Sequence, residues 1–284
     1  MSPARIILST GSLYTLETGH VFALAAETGF DGIEIMCDPR PITRDPAALQ
    51  ALSEQYTLPI LTLHSPFLKL ALPDWEDAQD EVSRVCRTLQ LAERLNAESI
   101  VVHLPWRIGV KQFWLSSHFV SVPWPFERRY NRMKMWIANE LAAVQRGTPV
   151  RIAIENMPVR SLLGLHINAS WWNSIDEWSR VHDWLTLDTT HWGTLGINPV
   201  DAYRAARERV QHVHLSNYDG REHRLPHRGH LDLAAFLQAL AADDFAGTVS
   251  LEAGPDVLEA PDESAIRRNL QASIDFMRQH LNHS

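Results

Sequence analysis

Several short apolar runs in this chain end on or beside a side chain that can bind a cation or move a proton. They are Glu34 in GIEIM, His64 in LTLHSP, His103 in IVVHLP, Glu155 in IAIENM, Asp188 in LTLDTTH, His214 in HVHLSN and Glu252 in SLEAG. A histidine taken alone is more often a satisfied core or surface residue than a ligand. Imidazoles and carboxylates recurring at one register carry more weight. If those runs are strands whose ends converge, their partly buried charge is costly unless something compensates it, and a divalent cation does so economically. Imidazole and carboxylate without thiolate suit zinc, manganese, cobalt or iron(II) better than calcium, which prefers all-oxygen shells. Asp188 and His191 stand three apart in DTTH, so His191 is a further ligand, a substrate contact or a support for a ligand.

The elements that must position these residues follow from periodicity. Strands are predicted near Arg5–Leu8, Gly32–Ile35, Pro59–Leu63, Ser99–Val102, Val150–Ile154, Trp184–Leu187, Val210–Val213 and Thr248–Leu251. Between them lie stretches with helical spacing. The clearest is Ala78–Asn96, where Val82, Val85, Leu89, Ala92 and Leu95 fall on one face. Others are His20–Thr28, Ala47–Tyr56, Glu127–Gln145, Val200–Arg209, Leu233–Ala242 and Glu263–His280. Strands alternating with helices imply parallel pairing, and this many units in one chain predict a single parallel (β/α)8 TIM barrel spanning 1–284. All strand C-termini of such a barrel meet on one face, which is where the listed side chains would gather.

Two connections are long and aromatic. Residues 105–126 carry Trp106, Phe113, Trp114, Phe119, Trp124 and Phe126, and residues 157–176 carry Trp171 and Trp172. Both would overhang the C-terminal face, as a lid, a substrate wall, a contact in a homo-oligomer or a satellite apolar cluster. The polar segment after His214 holds Asp219, Arg221, Glu222, His223, His227 and His230. Arg221 is its best candidate for a sugar oxygen or a phosphate, because a guanidinium offers several donors in one plane.

Bulk properties exclude other classes. With 284 residues, 45% hydrophobic and 21% charged, the chain is long enough for a full core and too apolar for disorder. A net charge of −8 disfavours nucleic acid unless a local basic patch exists. Cys37 and Cys86 alone make neither a disulfide framework nor a thiolate zinc site, as expected of a reducing compartment. The N-terminus lacks a signal-peptide core and no apolar run is long enough to span a bilayer. A cytoplasmic protein with no membrane partner is expected.

The order HSPF, VVHLP, IENM, LDTTH, HVHLSN and SLEAG resembles the xylose isomerase-like barrel superfamily, over about Ile6 to Glu252. That group contains sugar and sugar-phosphate isomerases and epimerases, inosose dehydratase and endonuclease IV. Its epimerase-like members imply one metal held by Glu155, Asp188, His214 and Glu252, with the two glutamates exchanging the substrate proton. The RLPHRGHLDL stretch is similar to a glycine-histidine-aspartate segment of these enzymes, with His227 in place of a usual glycine. Endonuclease IV-like members imply a three-zinc cluster, and His64, His103, His191 and His223 match several of its positions. The aspartate expected near Arg221 is missing, although Asp219 lies two residues earlier.

Two functions follow as expectations. One is an isomerase or epimerase of a small sugar or sugar phosphate, in which a divalent metal (manganese, zinc, cobalt or magnesium) stabilises an enediolate while Glu155 and Glu252 transfer the proton. In it His64, His103, His191, Arg221, His223 and Glu34 bind substrate or additional metal. The alternative is a zinc-dependent abasic-site endonuclease. It would need a basic, aromatic-interleaved track, for which Arg107, Lys111, Arg128, Arg129, Arg132 and Lys134 are available against Glu127. A solvated helix face explains Arg128 to Lys134 equally simply.

Overall fold

The computed structural model describes residues 4–66, 75, 78, 80–107, 109–115, 118–124, 131–162 and 165–281. Its elements, in chain order, are β1 (Arg5–Ser9), α1 (Thr18–Thr28), β2 (Gly32–Met36), α2 (Pro46–Tyr56), β3 (Ile60–His64), α3 (Glu81–Leu95), β4 (Ser99–His103), β5 (Gly109–Leu115) and β6 (His118–Trp124). There follow α4 (Asn131–Asn139), α5 (Leu141–Arg146), β7 (Arg151–Glu155), β8 (Arg160–Leu162), β9 (Leu165–Ile167), α6 (Ile175–Trp178), β10 (Leu185–Asp188) and α7 (Thr189–Thr194). The chain ends with α8 (Pro199–Ala206), β11 (Val210–Leu215), α9 (Leu233–Ala242), β12 (Thr248–Leu251) and α10 (Glu263–Leu281).

Strands β1, β2, β3, β4, β7, β10, β11 and β12 pair in parallel in that order, and β12 returns to β1 to close the barrel. This is the (β/α)8 architecture expected from the sequence. The strands are covered by helices outside and by one another inside, so their residues are buried on both faces and read as continuous apolar runs. The register aligns the strand ends: His103 pairs with Glu155, and Asp188 with His214. Close approach fixes one glycine at the wall, since a Cβ on Gly247 would lie 2.2 Å from the Gln211 carbonyl oxygen.

Helix boundaries have local causes. Asp80 caps α3 by accepting from Ser83 N, and Asn96 ends it in the left-handed region at φ 53°. Val82, Val85, Leu89 and Ala92 are buried as their spacing predicts. The stretch expected as one helix over Glu127–Gln145 is α4 and α5, interrupted at Glu140; residues 127–130 lie outside the described residues.

Both long connections contain structure that their composition did not show. Within 105–126, β5 and β6 form an antiparallel hairpin, and within 157–176, β8 and β9 form a shorter one. They leave the C-terminal ends of the neighbouring strands β4 and β7. Backbone bonds tie their bases together: Arg107 N donates to Ala169 O at 2.5 Å and Trp171 N to Pro105 O at 2.9 Å.

Trp178, fully buried at the end of α6, donates its indole N–H to the Ile154 carbonyl at 3.1 Å, one residue before Glu155. The bond pins α6 to the strand that carries a site carboxylate. Trp178→Phe keeps most of the apolar volume and removes the donor. It is expected to lower unfolding free energy by about 1–3 kcal/mol in urea titration.

Candidate functional site

The barrel ends bring the expected side chains together. Glu155, Asp188, His214 and Glu252 place one donor atom each within 4.8 Å of one another. They come from β7, β10, β11 and the residue after β12, which are consecutive in the wall. His214 is the hub. Its Nδ1 lies 2.7 Å from Glu155 Oε1, 3.1 Å from Glu252 Oε2 and 3.9 Å from Asp188 Oδ2.

Local structure aims Asp188. One carboxylate oxygen, Oδ1, accepts from His191 N at 2.8 Å and so caps α7, which leaves Oδ2 to the site. Asn156 clamps the same residue's backbone: its Oδ1 accepts from Asp188 N at 2.8 Å and its Nδ2 donates to Asp188 O at 3.0 Å. His191 is drawn in by that cap and donates Nδ1–H to the Asn156 carbonyl at 2.8 Å, because a carbonyl can only accept. Burial pushes the His191 imidazole down to about 3, so its Nε2 keeps a lone pair.

A second group shares Glu155. His64 Nε2 and His103 Nε2 lie 3.4 and 2.9 Å from Glu155 Oε2, and 3.2 Å from each other. His64 donates Nδ1–H to the Ser65 carbonyl at 2.9 Å, which fixes that ring. These three residues also form a group that could hold a cation.

A third group lies deeper. Glu34, His212 and His214 are completely enclosed, and Glu34 contacts both rings and Ser9. His212 was not among the residues singled out in the sequence. The signal was present in HVH, since alternate residues of a strand face the same side.

The loop after β11 is organised by Asn217, also absent from the sequence expectations. Its side chain donates to the Pro226 and Leu231 carbonyls and accepts from the Tyr218 and Leu231 amides. Gly229 passes so close that a Cβ would lie 2.3 Å from Asn217 Oδ1. The loop delivers His223, in the left-handed region at φ 57°, to 3.1 Å from the Glu252 carbonyl and against the His191 ring. Arg221 is placed elsewhere. It is exposed and lines a surface groove with Arg224, Arg228 and Asp256, and none of its described contacts reaches the carboxylate group.

Three basic residues of the proposed track, Arg107, Arg132 and Lys134, are engaged within the protein. The Arg107 guanidinium and Lys134 ammonium sit 4.7 and 3.5 Å from the Trp171 ring centre, and Arg132 pairs with Asp80 at 3.3 Å. Arg128 and Arg129, and the Lys111 side chain, lie outside the described residues.

Electrostatics mark the centre as short of positive charge. Burial, then the charges of Glu155 and Glu252, raise the Asp188 carboxyl well above its usual range. Burial alone would also raise Glu155, but attraction from His214 and His103 outweighs it and holds that carboxyl well below. His214 runs the other way: burial disfavours its charge, but Glu252, Glu34 and Glu155 raise it well above an ordinary imidazole. Asp188 Oδ2 and Glu252 Oε2 are buried with no hydrogen-bond partner among the described residues. Such oxygens, in a donor set of three carboxylates and one imidazole, fit a divalent cation.

The xylose isomerase-like TIM barrel family model matches residues 22–280, and the chain belongs to that family. It is 29% identical to an uncharacterized protein of Mycobacterium leprae (strain TN), over 98% of each chain. Among solved structures it is similar to D-psicose 3-epimerase from Clostridium cellulolyticum H10 with D-tagatose (TM-score 0.68, 18% identity, 98% and 100% of the two chains). It is also similar to the IOLI protein with a zinc atom (TM-score 0.66, 16% identity, 98% and 100%). At these identities the solved structures establish the shared barrel and nothing finer. No described helix is long and apolar enough to cross a membrane.

A cation bound only by the folded chain stabilises it by mass action, by about 2.7 kcal/mol at a hundredfold excess over Kd. Thermal unfolding after chelation is therefore expected at a lower temperature than with added Mn²⁺ or Zn²⁺. Identical curves for verified metal-free and metal-supplied protein would rule out cation binding at this centre.

Proposed function

We propose that this protein is a divalent-cation-dependent isomerase or epimerase of a small sugar or sugar phosphate. The observation that carries the reading is the convergence of Glu155 and Glu252 on His214 Nδ1, with Asp188 beside them. Glu155 and Glu252 belong to wall positions separated by β10 and β11, so they reach the centre from two sides. That is the arrangement needed to remove a proton from one face of a carbon and return it on the other.

Glu155, Asp188, His214 and Glu252 would hold the cation, which would supply positive charge for the oxygen of a substrate carbonyl as negative charge develops there. The remaining chemistry falls to the protein. One glutamate takes the proton from the carbon next to the carbonyl, and the other delivers a proton to the product. The site opens where side chains retain exposure: His103 is 16% exposed and Glu252 12%, against 0–2% for His64, Glu155, Asp188 and His214. A substrate entering there meets His103 first, whose imidazole can hydrogen-bond a hydroxyl. A small polyol also suits an acidic protein whose described basic side chains near Trp171 are already engaged.

A second reading, metal-dependent phosphodiester hydrolysis, is favoured by one observation, the His64–His103–Glu155 group that shares Glu155 with the first. Against it, no such donor group among the described residues includes His223 or His191.

Glu155→Gln and Glu252→Gln are each expected to slow exchange of the substrate α-proton with solvent roughly 10²-fold or more, the usual general-base contribution, while sugar binding survives better. The assay is deuterium incorporation across ketoses and their phosphates with Mn²⁺, Co²⁺, Mg²⁺ and Zn²⁺. Absence of exchange in wild type, together with nicking of abasic-site DNA that needs both glutamates, would replace the isomerase reading by the nuclease.

The two readings also differ in metal count. One cation per chain is expected by elemental analysis, retained in the His64→Gln, His103→Gln double variant. Two or three per chain, lost from that variant, would indicate a multinuclear cluster.

A further inference from the structure

Glu34 is the one site carboxylate that does not face the central group, and its surroundings assign it a different job. It projects from β2, across the barrel from β10, and its side chain is completely enclosed. Three donors converge on it. Ser9 Oγ donates to Oε1 at 3.2 Å. His212 Nε2 lies 2.8 Å from Oε2. His214 Nε2 lies 3.2 Å from both oxygens.

The roles in this cluster are constrained. An ionised carboxylate only accepts, so both imidazoles must present N–H at Nε2. For His212 this is consistent with its other side, where Nδ1 lies 2.6 Å from Thr248 Oγ1 and can accept the hydroxyl proton. For His214 it leaves Nδ1, which faces Glu155, Asp188 and Glu252, as the nitrogen that would bind a cation once its own proton is displaced. A proton on Nδ1 would instead satisfy those carboxylates and remove the imidazole as a ligand. The same three residues, Glu34, His212 and His214, could in principle hold a cation themselves. That would require both Nε2 atoms to give up protons that Glu34 already accepts, in a pocket with no opening.

We propose that Glu34 is the positioning residue of the cation centre: it holds His214 in the Nε2–H form, orients its ring and thereby sets the affinity of the site. The proposal rests on the reading that Glu155, Asp188, His214 and Glu252 hold the cation. His212 and Ser9 act one step further out, by fixing the Glu34 carboxylate. Partners of this kind to a ligating histidine are typically worth about 10- to 100-fold in metal affinity.

The test is titration of the full metal-free chain with Co²⁺, followed by calorimetry and by the visible spectrum of the bound ion. Glu34→Gln is expected to weaken Co²⁺ binding about 10- to 100-fold and to shift the cobalt absorption bands, because a neutral amide supports the Nε2–H form less well. Glu34→Asp, which keeps the charge, is expected to bind more tightly than Glu34→Gln. Wild-type affinity and spectrum in Glu34→Gln would overturn the proposal while leaving the cation-site reading intact. Outright loss of one of two bound cobalt ions would also overturn it, by making Glu34 a ligand. If wild type binds no Co²⁺, the cation-site reading itself fails, and this proposal with it. A measurement on wild type needs no variant. Ring ¹⁵N NMR of the Zn²⁺-loaded protein should show His214 protonated at Nε2, and a proton at Nδ1 would overturn the proposal.

Discussion

The arrangement of the barrel mouth depends on the His214 ring, which is held between two sets of carboxylates. On one edge stands Glu34, and on the other stand Glu155, Asp188 and Glu252. A ring so placed can carry only two protons, and every neighbour competes for them. With both present, His214 is a buried cation that neutralises part of the excess negative charge, which is why its affinity for a proton is raised so far. With Nδ1 bare, the inner carboxylates need another positive charge, and Asp188, whose carboxyl already resists ionisation, shows how short the supply is. On the proposed reading, proton and divalent cation would thus be alternatives at one position. The fold around them is what makes the choice consequential, since Glu34, Glu155, Asp188 and His214 are buried, where solvent screens charge poorly.

Much of this was legible in the sequence because a parallel barrel converts periodicity into position. An apolar run closed by a metal-competent side chain reads the same way on every strand. The register that pairs His103 with Glu155 and Asp188 with His214 is the physical form of that repetition. The reading failed where function depends on contacts between distant segments. Asn156 and Asn217 look like ordinary loop residues until their amides are seen bonding backbone that is many positions away. His212 was overlooked because attention went to the strand end, although alternation puts it on the same side as His214. Arg221 was favoured for its chemistry alone, and the loop that Asn217 organises presents His223 to the site and turns Arg221 outward.

The insertions illustrate a different limit. Their aromatic content suggested a wall or a lid, yet neither hairpin was visible, because the sequence between the β5 and β6 runs, Ser116-Ser117, is not a strong hairpin signal. Their joined bases give them a common consequence. Trp171, held by its amide to the Pro105 carbonyl, receives both Arg107 and Lys134 on its ring. Cations that would have served a phosphate backbone are therefore used to dock one insertion against the other and against α4.

The shared barrel accommodates many chemistries, so the decision between isomerase and nuclease rests on how donors are distributed. Glu155 is the member common to the central group and to the pair His64 and His103. A second cation there would take up the oxygen that now faces both imidazoles and lower the basicity left to Glu155 for proton transfer. One cation leaves Glu155 Oε2 among neighbours that can release it: His103, partly exposed and with burial lowering its proton affinity, is the natural one to yield to an incoming hydroxyl. On the proposed reading Glu155 would therefore serve best as a base beside a single cation, so that reading and its metal count stand or fall together.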